Sequence, residues 1–243
     1  MRGIAYPACI PSLFGILVAL FLLGGCAGMS VEEQREAEYF YKMGVSYLNE
    51  GNIQMAYVQL QKALQVDPDS LEVLNSLGLV YLQLEDFDSA ERLFLKAVSR
   101  DRLFSDAYNN LGATYMRKRQ WSKAVESLRG ALANPLYQTP EKAFYNLGTS
   151  FYRLGQYAQA ADALKDSIKR SSSSPLAYYR LALVYNRMGR YGDASAVMVQ
   201  AIEMDPVYRG DRKKFVDDIR QSLLTAKGDD ETDARDYLEI MQY

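Results

Sequence analysis

Bulky and small apolar residues alternate along most of the chain in a pattern that recurs five times. A Leu or Met precedes a Gly or Ala, and an aromatic residue follows three positions later; the small residues are Gly44, Gly78, Gly112, Gly148 and Ala182. They lie 34, 34, 36 and 34 residues apart, and an alanine follows each of them at an offset of 12. Offsets of three and four place apolar residues on one stripe of a helix. Each period therefore predicts two helices that cross where the residues are small.

This pattern resembles the tetratricopeptide repeat over residues 37–208. The resemblance implies an all-α solenoid of five helix-turn-helix units, over residues 37–70, 71–104, 105–138, 141–174 and 175–208. One unit cannot bury its own apolar stripe, so the units must stack, and contacts stay between neighbours. The period fades over residues 209–243, where helical spacing predicts either capping helices or a decayed sixth repeat.

The first 25 residues are interpreted as a cleaved signal peptide. Arg2 precedes an apolar run from Ile10 to Leu23, which is too short to span about 30 Å of hydrocarbon. The sequence Leu23-Gly24-Gly25-Cys26 resembles the bacterial lipobox. That resemblance implies acylation of Cys26, a linker over residues 26–36, and an anchor at the periplasmic face of the outer membrane. An uncleaved membrane anchor is the alternative.

Composition excludes several kinds of chemistry. The net charge of −2 argues against a nucleic-acid partner, which usually requires a basic excess. There is no histidine, and the two cysteines, Cys9 and Cys26, both lie near the N-terminus. This composition excludes catalysis by imidazole and argues against a metal site built from Cys or His. We expect a protein that is not an enzyme and has no cofactor, metal or small-molecule substrate.

The candidate site is the concave groove that the first helix of each unit lines in the tetratricopeptide family. Carried over by position, the groove residues are Tyr41, Val45, Leu48, Asn75, Leu79, Leu82, Asn109, Met116, Tyr145, Tyr152 and Tyr179, with Arg153 and Arg187 at its edge. Exposed apolar patches mark partner sites, and Tyr and Arg are enriched in binding hot spots. The pattern predicts a protein partner. The alternative is that the tail, residues 211–243, folds back and fills the groove.

A narrower resemblance is to the pilotin lipoproteins of type IV pilus biogenesis, over about residues 26–208. It rests on the lipobox next to the array, the segment Gly44–Asn52, and the two-residue insertion near Leu136-Tyr137 and Pro140-Glu141. The resemblance implies a protein that binds secretin subunits and promotes their localisation and multimerisation at the outer membrane. A general periplasmic scaffold lipoprotein for cell-envelope complexes is the alternative.

Overall fold

The computed structural model describes residues 29–243, which form twelve α-helices and no strands, as an all-α repeat fold predicts. The predicted signal peptide and Cys26 lie outside the described residues. The helices are α1 (Val31–Asn49), α2 (Ile53–Val66), α3 (Leu71–Gln83), α4 (Phe87–Arg100), α5 (Ser105–Arg117), α6 (Trp121–Leu132), α7 (Pro140–Arg153), α8 (Tyr157–Arg170), α9 (Pro175–Arg187), α10 (Tyr191–Met204), α11 (Arg212–Leu223) and α12 (Asp229–Ile240). None of these helices is long and apolar enough to cross a membrane.

The first ten helices form five consecutive pairs, because short turns make neighbouring helices antiparallel. Helices α3, α5 and α9 begin at residues 71, 105 and 175, where the second, third and fifth units were predicted to begin. The left-handed residues Gly51, Gly155 and Gly189, with φ of 75°, 72° and 71°, follow the first helix in three units. Glycine adopts this conformation without a steric cost and so ends helices readily.

The predicted linker over residues 26–36 is wrong in its second half, because α1 already begins at Val31. Ser30 accepts a hydrogen bond from the Glu33 backbone, and the Glu33 carboxylate accepts one from the Ser30 backbone. This reciprocal capping box satisfies amides that would otherwise lack partners at the helix start. Within the described residues, only 29 and 30 precede the array as a non-helical segment.

The helix crossings are as tight as the small residues predict. A Cβ atom added to Gly78 would lie 2.5 Å from Cε1 of Phe94, and one added to Gly112 would lie 2.6 Å from Cγ of Leu128. Phe94 and Leu128 are fully buried. These glycines therefore allow the two helices of a unit to approach each other around a large side chain.

We expect Gly78→Ala to lower the free energy of unfolding, and Gly192→Ala, its control, to raise it. Overpacking costs about 1–3 kcal/mol, which exceeds the gain in helix propensity of about 1 kcal/mol, since buried Phe94 must shift. Gly192 lies in α10 with no atom within 4 Å of an added Cβ, so only the propensity gain applies. Urea unfolding of both variants measures the difference, and equal shifts would contradict the close crossing.

The last two helices do not stack as a sixth unit. In a repeat array each unit contacts only its neighbours, whereas α12 reaches Arg119 of the third unit, Arg153 of the fourth and Arg180 of the fifth. Of the two alternatives for the tail, the structure therefore has a cap that lies across several units.

Candidate protein-binding groove

The first helices of the units line the inner face of the array. Successive first helices α1, α3, α5, α7 and α9 contact one another, whereas the second helices of successive units do not. The array therefore curves with its first helices inside, as the groove residues require. Two amide bridges tie these helices together: Asn110 donates to Asn75 at 2.9 Å, and Asn146 donates to Asn109 at 3.1 Å.

The half of the groove formed by the first three units keeps partly exposed apolar side chains, which we call the open half. The predicted residues in this half are all half-buried: Tyr41, Val45, Leu48, Asn75, Leu79, Leu82, Asn109 and Met116. Tyr41 and Leu48 pack against the core around Leu60 and Leu77. Tyr41 also lines a cavity of about 250 Å³ between α1 and α3, beside Ala37, Val73 and acidic residues such as Glu38 and Glu72. This half can accept an apolar side chain of a partner.

The half formed by the fourth and fifth units is covered by the chain's own tail. Tyr152, Arg153, Tyr179 and Arg187 were predicted to meet a partner, and each contacts α11 or α12 instead. The prediction of a free groove is wrong for these four residues, and the alternative, a tail that folds back, holds for this half. Tyr145 differs: it lines a pocket of about 390 Å³ with Asn109 and Asn146.

Asp233 is the central contact of the covered half. Arg153 donates to its two carboxylate oxygens at 2.8 and 2.6 Å, and Arg180 donates at 2.6 Å. The Tyr152 hydroxyl donates a further hydrogen bond at 3.2 Å. Bidentate arginine–carboxylate pairs are among the strongest hydrogen bonds in proteins. The Asp233 side chain is 9% exposed, so this anion is held almost entirely by protein groups.

The second buried aspartate of α12, Asp236, lies in a poorer electrostatic environment. Its Oδ2 lies 2.7 Å from Nε of Arg187, whose side chain is 35% exposed. Burial and the nearby Asp233 and Glu239 carboxylates raise the pKa of Asp236 despite Arg187. Burial also disfavours the anion of Asp233, but Arg153 and Arg180 outweigh it and lower the pKa of that carboxyl.

An aromatic cluster completes the covered half. The Phe215 ring of α11 stacks on Tyr179, with centroids 5.5 Å apart and planes 7° apart. Tyr237 of α12 meets both rings edge-on. The Tyr179 hydroxyl donates to Asp205 at 3.1 Å. These contacts give the docked tail an apolar centre beside its charged one.

Sequence reasoning missed Arg180, Asp233 and Asp236 as groove residues. The tail was interpreted from its apolar spacing alone. A signal was present: Asp229, Asp233 and Asp236 are spaced i, i+4 and i+7, which places them on one helix face. Nothing in the sequence indicates which residues they face.

The fold and the groove define the class of this protein as a helical-repeat scaffold for protein–protein interaction. A tetratricopeptide repeat profile matches residues 41–102, 76–140 and 145–208. The chain belongs to the tetratricopeptide repeat family, whose scaffolds are typically non-catalytic.

Individual relatives agree with this assignment. The type IV pilus assembly protein PilF of Pseudomonas aeruginosa is 28% identical over 113 residues, which is 46% of this chain and 44% of PilF. The chain thus matches less than half the length of that relative. An uncharacterised protein of Haemophilus influenzae is 28% identical over 120 residues, 48% of this chain and 67% of that protein.

Solved structures share the fold. A structure of Pseudomonas aeruginosa PilF has a TM-score of 0.69 at 20% identity and covers 87% of this chain and 99% of its own. MamA from Desulfovibrio magneticus has a TM-score of 0.63 at 18% identity and covers 73% of this chain and 97% of its own. At these identities the likeness concerns the fold alone.

Proposed function

We propose that this protein is a pilotin: an outer-membrane lipoprotein that binds secretin subunits and promotes their multimerisation in type IV pilus biogenesis. The proposal is supported by the lipobox ending at Cys26, by the 28% identity to PilF, and by the shared fold. The acyl chains on Cys26 would hold the array at the periplasmic face, because each buried methylene contributes about 0.8 kcal/mol.

The observation that carries the binding role is the open half of the groove. Its apolar side chains are half-buried, so they retain surface that a partner can cover, and Tyr41 also lines a cavity between α1 and α3. We propose that a secretin segment inserts an apolar side chain next to Tyr41 and lies along Leu48, Leu79 and Leu82. The distance to the membrane suits this role, because the array begins at Val31, a few residues after Cys26.

The variant Tyr41→Ala plus Leu48→Ala is expected to abolish secretin multimers at the outer membrane while the protein stays folded. Hot-spot truncations cost about 2 kcal/mol or more each in binding free energy. The measurement is fractionation of cells that lack the gene and are complemented with each variant, with the secretin probed for detergent-resistant multimers.

The matched control is Val31→Ala plus Tyr39→Ala, two apolar residues of the same helix that are 65% and 59% exposed. It should support multimers at the wild-type level. Cys26→Ala should release the protein from the outer membrane, which tests the anchor separately.

Two outcomes would contradict the proposal. Multimers that persist in cells without the gene would exclude the pilotin role and leave the general periplasmic scaffold. Multimers that vanish without the gene but form normally with the folded Tyr41–Leu48 variant would retain the pilotin role and exclude the open half as its site.

A further inference from the structure

The groove-facing stripe of α12 is acidic in its first two turns. Asp229, Asp233 and Asp236 share that face, and Asp233 and Asp236 are buried. A helix whose role is only to cap a core is expected to turn apolar residues toward that core. Burying a charge has a desolvation penalty that ion pairing often fails to offset. In the N-terminal half of α12 the small Ala234 is the buried apolar residue, and the large apolar side chains, Tyr237 and the fully buried Ile240, lie in the C-terminal half.

Four arginines from three different units face this stripe, and we call them the arginine row: Arg119, Arg153, Arg180 and Arg187. Arg119 pairs with Asp229, Arg153 and Arg180 with Asp233, and Arg187 with Asp236. One carboxylate per helical turn thus meets a row of guanidinium groups along the groove. This charge complementarity favours the binding of an acidic helix at the arginine row.

Arg119 occupies a position that favours glycine. It follows the first helix of the third unit with a φ of 57°, where the first, fourth and fifth units have glycine and the second unit has Glu85 with a φ of 59°. A non-glycine residue in this conformation costs about 1–2 kcal/mol. Arg119 therefore places a positive charge at the end of the row although its backbone conformation in the turn is unfavourable for a non-glycine residue.

Helix α12 is attached to the array in a way that permits release. The connection after α11 carries Leu224, which is 76% exposed, and Gly228 in the left-handed region. Among the described residues, backbone hydrogen bonds of α12 stay within residues 228–243. Side chains alone hold α12 to the units, so it can leave without breaking the main-chain bonds of the array.

The fit of α12 to the row is incomplete. Nε of Arg180 is buried and has no hydrogen-bond partner. Asp236 lies close enough to Asp233 and Glu239 that burial and these two carboxylates raise its pKa. A segment with an additional acceptor for Arg180 and fewer crowded carboxylates would satisfy the row better than α12 does.

We propose that the arginine row is a binding surface for an acidic helical segment of a partner protein, which replaces α12 in the groove. The segment carries carboxylates at positions i, i+4 and i+7 and an aromatic residue one position later, as Asp229, Asp233, Asp236 and Tyr237 do. This surface lies in the third to fifth units. The inference therefore stands whatever binds the open half.

The test uses a fluorescent peptide of residues 228–243 as the probe and the full chain as the receptor. Asp233→Asn weakens the docking of the chain's own α12, so a larger fraction of the molecules has a free arginine row. The variant should therefore bind the peptide at least about tenfold more tightly than wild type. The control Asp230→Asn changes an exposed aspartate of the same helix and should match wild type. Adding Arg153→Gln to Asp233→Asn should remove the gain.

The proposal is wrong if Asp233→Asn binds the peptide no more tightly than Asp230→Asn, or if a scrambled peptide binds equally well. A second measurement tests the proposal even if Asp233→Asn fails to fold. In wild type, excess peptide should accelerate amide hydrogen exchange in residues 233–240 of the receptor. If these amides instead remain as protected as those of α9 with the peptide present, α12 is a permanent cap and the proposal fails.

A second copy of the chain is the competing occupant. Light scattering of the wild type across the concentrations of the titration should give a monomer. A dimer that requires Asp233 would assign the arginine row to exchange of α12 between copies and would overturn the assignment to a different protein.

Discussion

Asp233→Asn is expected to undock α12 from the groove while the five repeat units stay folded. Breaking a buried ion pair by removing one partner costs about 3–5 kcal/mol. Arg153 and Arg180 are left without their shared anion, and their side chains are only 12% and 16% exposed. Amide hydrogen exchange in residues 233–240 should accelerate by at least about a hundredfold, unless it first reaches the rate of an undocked helix.

Asp236→Asn is the matched control on the same helix. Asp236 is buried and paired like Asp233, but Arg187 is exposed enough to turn its guanidinium toward water. Burial and neighbouring carboxylates raise the pKa of Asp236, so the docked helix favours its neutral form. We expect Asp236→Asn to leave amide exchange in α12 unchanged or slower. Equal acceleration in both variants would contradict the central role of Asp233.

The pH dependence of docking follows from the same two aspartates. The folded pKa of Asp233 lies below its unfolded value, so its contribution is present above the unfolded pKa and is lost as pH falls through the folded one. The folded pKa of Asp236 is raised, so protonation there strengthens docking at milder acidity. Arg187, the Tyr152 hydroxyl, Asp233 and Glu239 are the groups that face it. The protection factors of the α12 amides, which correct for the intrinsic pH dependence of exchange, should therefore rise slightly on mild acidification and fall below the ordinary aspartate pKa. Asp236→Asn should abolish the rise and keep the fall.

Phe94→Ala is the second large effect, and it concerns the array itself. Phe94 is fully buried and fills the crossing of α3 and α4, where Gly78 leaves room for its ring. Truncating a buried phenylalanine costs about 3–5 kcal/mol through lost transfer free energy and the cavity left behind. Denaturant unfolding followed by circular dichroism should show this loss. The transition should also broaden, because repeats are coupled only through their neighbours.

Leu95→Ala is the control for Phe94→Ala. Leu95 is the next residue of α4 and is 42% exposed, so its truncation should change the free energy of unfolding by about 0.5 kcal/mol or less. A similar loss in both variants would mean that stability depends on the helix as a whole and not on the packed crossing.

The repeat fold was predictable because its contacts are local. Gly78 and Phe94 are 16 residues apart in the chain, and the next unit repeats the same spacing with Gly112 and Leu128. A helix pair that must cross closely requires a small residue opposite a large one, and this requirement leaves a periodic pattern. The capped start of α1 was missed because the capping box of Ser30 and Glu33 lies outside that period.

The binding surface was only half predictable. Tyr41, Leu48, Leu79 and Leu82 could be located by position alone, because the open half follows the same period as the core. Tyr152, Arg153, Tyr179 and Arg187 were also correctly located on the inner face, but nothing local indicates that α11 and α12 cover them.

The sequence by itself determined the helices, their pairing and the direction in which each repeat faces, because these depend on interactions within one or two units. Only the tertiary structure decided where the tail lies. The arginines that pair with α12 are between 49 and 110 positions away from their partners in the chain. Ion pairs between such distant segments depend on the curvature of the whole array and leave no period in the sequence, so Asp233 could not be matched to Arg153 and Arg180 until the fold placed them together.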